Sequence, residues 1–215
     1  MFLVQTLPCG NPMKGRWCLR GARGFSAAEC TSILAALTIL SGLSAPAITD
    51  YIEDAKMVRA RHDVATVGVS LIRLFNDVAF ERARPRGWQT YSLLVGAGQA
   101  PGALNAQTAP WALATGAEDV GLLDDQLLRN GPAYVPFSST TRYGWRGAYL
   151  QQPVSADPWA HRYAVNVGAV GRDADIFVAS AGPDGVVTLS FDADGLDQTG
   201  DDIVSLVSSS AGVSP

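Results

Sequence analysis

From Cys30 to Ile48 the chain runs through nineteen uncharged residues, and the apolar spacing of a helix continues beyond them as far as residue 82. Nineteen residues approach the roughly 20 that carry a helix across a bilayer. Thr31, Ser32, Thr38, Ser41 and Ser44 leave the run only moderately apolar, so a buried core helix is the other reading that hydropathy allows. Residues 49–82 keep apolar side chains at Ile52, Ala55, Val58, Val64, Val67, Leu71, Leu74, Phe75 and Val78. Pro85 and Gly87 then break the pattern. One helix of about 60 residues follows, membrane-grade in its first half and amphipathic in its second. The second half must lay its apolar face on something, most simply a globular part later in the chain.

With 215 residues, 47% apolar and 17% charged, there is material for one good-sized domain or two small ones. The net charge of −4 is unevenly spread. The first 24 residues hold Lys14, Arg16, Arg20 and Arg23 and no acid, whereas from Asp173 onward there are eight Asp and no Lys or Arg. A nucleic-acid binder would need its basic face on the folded part, so none is expected. Cys9 and Cys18 lie in the basic head; if that head is removed, Cys30 remains alone and no internal disulfide can form. His62 and His161 are the only imidazoles, which argues against a zinc site.

The head has no helical period and reads as a targeting or processing segment. It differs from an ordinary secretory signal, because its basic part directly abuts Gly24 and the apolar run comes afterwards. Basic residues upstream of that run and Asp50, Glu53 and Asp54 downstream fit a cytoplasmic N-terminus. Glu29 stands at the threshold of the run. An ionised carboxylate in hydrocarbon costs at least about 2.5 kcal/mol and is usually paired. A cut between Gly24 and Phe25 would make Glu29 the fifth residue and create an α-amine one helical turn away. Otherwise Glu29 lies in the headgroup zone or caps the helix start, where an acid suits the dipole.

Residues 88–152 are rich in Gly, Pro and Ala, and "EDVGLLDDQLLRNG" is expected to form a short helix ending at Asn130–Gly131. Four later runs, "HRYAVNVGAV", "DADIFVASAG", "VVTLSF" and "DIVSLVSS", predict a small antiparallel sheet. "VGAGQAPG" reads as a turn, since Pro101 interrupts the helix a phosphate-binding loop would need. His161 reads as a strand-end residue. No nucleophile–base arrangement or carboxylate pair suggests an enzyme. Asp184, Asp192, Asp194, Asp197, Asp201 and Asp202 fall within nineteen residues with no basic neighbour. They form either a solvated acidic turn or the site of a hard cation that takes six to eight oxygens. The spacing is not that of an EF-hand.

Gly24, Phe25, Glu29 and the run through Ile48, with Pro46 late in it, resemble the start of type IV pilins and of the pseudopilins of type II secretion. "GWRGAYLQQPVSADPWAHRYAVN" (144–166) is similar to the "GW-GPYL…DPWG-PY" stretch of major pseudopilins, and "SAGPDG" with the later "TGDDI" is similar to their calcium loop. The resemblance covers roughly residues 23–75 and 143–203. It implies an α+β fold, in which a long N-terminal helix packs on a small antiparallel C-terminal sheet. It implies a cleaved leader over 1–24, a transmembrane and filament-core helix over 25–48, an amphipathic continuation over 49–84, and a globular region over 85–215.

The same resemblance implies cleavage after Gly24 by a prepilin peptidase and N-methylation of Phe25. It implies Glu29 as an assembly contact, Pro46 as a kink, and Ca2+ held by Asp184, Asp197, Asp201 and Asp202 with backbone carbonyls. The implied role is structural: a homopolymer forming a short periplasmic pseudopilus for type II protein secretion. Its expected partners are minor pseudopilins, the inner-membrane secretion platform and membrane lipid, with the C-terminal part in the periplasm. The alternatives are a type IV pilin for adhesion, motility or DNA uptake, and a non-polymerising membrane-anchored calcium-binding module.

Overall fold

Helix α1 runs from Ala27 to Val78 in the computed structural model, which describes residues 24–78, 91–140, 142–169, 175–193, 195 and 200–208, without the side chains of 43–47, 169 and 208. The basic head, the breakers Pro85 and Gly87, and Asp197 therefore lie outside the described residues, while at Pro46, where a kink is expected, the backbone stays within the helix and only the side chain is not described. The chain divides after Asp50 into two compact units.

In the first unit the hydroxyls of Thr31, Ser32 and Thr38 donate to the carbonyls of Ala28, Glu29 and Ala35 at 2.9, 2.9 and 2.8 Å. The polar groups that dilute this run are thus satisfied within the helix itself. Ile33, Leu34, Leu37, Ile39 and Leu40 are exposed. Among the described residues no helix is long and apolar enough to cross a membrane.

In the second unit α1 buries Ala60, Val64, Val67, Leu71, Leu74 and Val78, alternating steps of four and three residues. Ile52, Ala55 and Val58, which the sequence places on the same stripe, are instead exposed. The reason is phase: six residues separate Val58 from Val64, which sets them about a third of a turn apart.

Among the described residues seven short strands follow: β1 Leu93–Val95, β2 Gly102–Ala103, β3 Val120–Leu122, β4 Ala164–Val165, β5 Ile176–Ser180, β6 Val186–Val187 and β7 Ile203–Ser208. Five of them form one sheet in the order β3-β1-β4-β5-β7. The sheet is mixed rather than antiparallel throughout, because β1 and β3 run parallel while the other neighbours are antiparallel. Two of its strands come from the middle of the chain, not from the tail. "EDVGLLDDQLLRNG" is a strand first: β3 precedes a single π-helical turn, Asp125–Arg129, closed by Asn130 at φ 52°. "VVTLSF" leaves the main sheet altogether, and its β6 pairs parallel with β2.

Each central strand is buried on both faces. Leu94, Val165 and Val178 pack with the buried stripe of α1, while Leu93, Val95, Ala164, Phe177 and Ala179 pack with Trp111, Val187, Leu189 and Phe191 on the other side. Such strands read as continuous apolar runs instead of alternations. Gly68 lets α1 lie close to β7, since a Cβ there would stand 3.3 Å from Ser205 Oγ.

Candidate functional site

The start of α1 is built by two residues. The Ser26 amide donates to Glu29 Oε2 at 2.7 Å, and the Glu29 amide donates to Ser26 Oγ at 3.2 Å. This is a capping box, in which two amides left unpaired at a helix start are satisfied reciprocally. The alternative in which Glu29 caps the helix start is thus the arrangement present, and its full sequence signal is Ser-x-x-Glu before an apolar run. Gly24 and Phe25 precede the cap and are exposed.

The "DPWAHRY" stretch is a structural hub. Asp157 is buried, and its carboxylate accepts from the amides of Trp159 and His161 at 3.0 and 2.8 Å and from the Ser180 hydroxyl on β5 at 2.7 Å. Arg162 is buried too, and donates to Thr115 Oγ1 at 2.9 Å and to the carbonyls of Trp111 and Leu113. Burial pushes its guanidinium pKa down. The Tyr163 hydroxyl donates to Asp63 on α1 at 3.0 Å, and burial, followed by the Asp63 charge, pushes the phenol up. One short segment therefore ties together a strand, the 111–115 connection and the helix.

The "GWRGAYL" stretch closes on Asp77, a residue that sequence reasoning missed. The Gly144 amide donates to the Asp77 carbonyl at 2.7 Å, Arg146 pairs with its carboxylate at 3.2 Å, and the Tyr149 hydroxyl donates to it at 3.1 Å. An acid in the last turn of a helix opposes the dipole, so Asp77 invites a cation from elsewhere; that was the readable signal. Burial is the main reason that the Tyr149 phenol is pushed up to about 12. Nearer the start of this unit, a hydrogen bond from Lys56 at 2.7 Å holds the Glu53 carboxyl below its ordinary value.

The acidic loop brings together some of the expected residues. The Asp184 amide donates to Asp201 Oδ2 at 3.1 Å, while Asp184 Oδ1 caps the Val186 amide at 2.8 Å. Asp202 is only 8% exposed, and its Oδ2 accepts from the amide and hydroxyl of Thr188 at 2.8 and 2.6 Å and from the Leu189 amide at 2.9 Å. Its other oxygen, Oδ1, is buried with no partner among the described residues. Asp192 is exposed and Asp197 is not described. Gly182, at φ +66°, passes so close to the Asp201 carbonyl that a Cβ would collide with it. Gly185 rests on the ring of His161, whose Nδ1 is likewise buried without a partner among the described residues.

An unpartnered buried carboxylate oxygen is costly unless a cation meets it, so the donor chemistry fits an oxygen-seeking divalent ion. The described carboxylates do not complete a shell by themselves: no group of three or more His, Cys, Asp or Glu among the described residues is arranged to hold a metal. Carbonyls and Asp197 would have to supply the rest. The capping box and the acidic loop belong to different units. No family model, no curated protein and no solved structure matches the chain.

Proposed function

We propose that the chain is a pseudopilin-like structural subunit, processed after Gly24 and assembled through its helix into a short periplasmic filament for type II protein secretion. The observation that carries this reading is the bare first unit. Ile33, Leu34, Leu37, Ile39 and Leu40 stand exposed on a helix, where lipid before assembly and neighbouring helices afterwards would cover them. In this reading Glu29 exchanges its local cap for the Phe25 α-amine of a neighbouring copy. The role is structural, with the secretion platform and minor subunits as partners. Ca2+ would lock the loop that carries Asp184, Asp197, Asp201 and Asp202, with Asp202 Oδ1 as the oxygen that lacks a partner among the described residues. The test is mass spectrometry of the protein from its native membrane. A chain beginning at N-methylated Phe25 is expected; an intact leader overturns the proposal.

One observation favours a second reading. The capping box satisfies Glu29 within its own chain, so a single-span anchored calcium-binding module needs no second subunit. An unprocessed chain that stays monomeric at all concentrations would establish that alternative.

A further inference from the structure

In its second unit α1 carries a second, largely apolar stripe, interrupted by His62, on the face turned away from the sheet. Tyr51, Ala55, Val58, His62, Ala65, Val69 and Ile72 are all exposed and follow alternating steps of four and three. This is the spacing of a coiled-coil seam sustained over three heptads. Tyr51 is 74% and Val58 64% exposed, unusual for large apolar side chains at regular intervals. Beside the seam runs an open groove of about 830 Å³, bounded by Arg59, His62, Val69 and Arg73 on the helix and by the loop through Gln152. The charges flanking the seam are unevenly engaged. Arg59 pairs with Asp63 at 3.6 Å, whereas Asp54, Arg61 and Arg73 form no ion pair among the described residues.

We infer that this seam and its groove receive α1 of a second copy, running parallel and displaced by two heptads. The inference deepens the polymer reading above and rests on it for the shared direction of the helices. The displacement follows from charge. In a parallel pair, a residue on one flank of the seam faces the partner residue five positions further along. In register, Asp54 would meet Arg59, which Asp63 already engages; one heptad on, it would meet the uncharged Thr66. Two heptads on, it meets Arg73, the unengaged cation at the groove. The same shift, about 21 Å at 1.5 Å per residue, sets Tyr51 against Ala65, Ala55 against Val69 and Val58 against Ile72. Large side chains then face small or medium ones along the overlap. Because each copy offers its early positions to one neighbour and its late positions to another, the contact is heterologous and does not close.

The test uses the full chain in lipid vesicles, with the native cysteines replaced by serine and two differently tagged copies mixed. One copy carries Val58→Cys and the other Ile72→Cys. The expected result is a 58–72 disulfide, with 58–58 and 72–72 products minor. Asp54→Arg or Arg73→Asp should each lower the yield about two- to fivefold, the range of an exposed ion pair, and the two together should restore it. Dominant 58–58 linkage overturns the displacement, no linkage overturns the seam, and failure of the charge swap to rescue overturns the Asp54–Arg73 pairing. Filaments without the 58–72 link would remove the seam and leave the polymer reading standing. The link in an unprocessed chain that makes no filaments would do the reverse.

Discussion

Thr188 is joined to Asp202 twice: its amide and its hydroxyl donate to the same carboxylate oxygen, at 2.8 and 2.6 Å. With the Leu189 amide also on that oxygen, the carboxylate is fixed in direction and its second oxygen is buried with no partner among the described residues. In the proposed function this second oxygen is the one a cation would meet.

Calcium is therefore expected to stabilise the fold. A ligand that binds only the native state adds about 2.7 kcal/mol at a hundredfold excess over its Kd. Thermal unfolding in calcium and in chelator should differ by several degrees, and Asp202→Asn should abolish the difference. Superimposable melts of the unaltered protein would remove calcium from the proposed function.

Gly182→Ala is expected to disturb the same loop from its other end. The residue sits at φ +66°, where a side chain costs about 1–2 kcal/mol, and the new Cβ would displace the Asp201 carbonyl. Urea unfolding should show that loss or more, together with a weakened response to calcium. An unchanged midpoint would mean that the turn relaxes freely.

Asp157→Ala should be among the most destabilising single changes. It strands two amides and the Ser180 hydroxyl inside the protein, for a loss of about 3 kcal/mol or more. Asp157→Asn keeps some acceptors and should lose less. Equal midpoints for the two variants in urea would argue against the hub.

Alkaline pH gives a separate handle. The Tyr149 phenol rises from 10.0 to about 12 on folding, so the fold favours its protonated form. That contribution is fully present below pH 10 and is lost as pH rises through 12. Stability measured across this window should fall, and Tyr149→Phe should flatten part of the slope while losing about 1 kcal/mol at neutral pH with the hydrogen bond to Asp77. An unaltered slope would assign the effect to other groups, with Tyr163 the first to test.

Ser26 and Glu29 can be separated by substitution. Ser26→Ala should lose about 1 kcal/mol of helix-start stability, seen as faster amide exchange at residues 27–30, yet filaments should still form. Glu29→Ala should leave the protein in the membrane and stop assembly. Normal filaments from Glu29→Ala would reduce that residue to a cap.

The sequence was most legible where a pattern was long. The run containing β7 is rich in β-branched residues, β5 stands out by the apolar Ile176, Phe177 and Val178 in succession, and α1 is unmistakable. β1 and β3 are three residues each and hold their form only through neighbours, so no window reveals them. The helix misled in phase: Val58 and Val64 are both apolar, but one belongs to the outward seam and the other to the core. At the helix start the cap was one of two readings of Glu29, and Ser26 three residues before it is the residue that completes the box. In the acidic loop the right stretches converge, but composition alone did not reveal that Asp202 turns inward while Asp192 stays in solvent.

The cap on α1 also acts as a fence. Gly24 and Phe25 stand outside the hydrogen-bonded ladder because Ser26 halts it there. A peptide bond within a helix must be unwound before a protease can stretch it along a cleft, whereas one lying ahead of the cap is reachable as it stands. A change that let the helix creep back by one turn would shield that bond, so the processing in the proposed function would slow with both flanking residues intact.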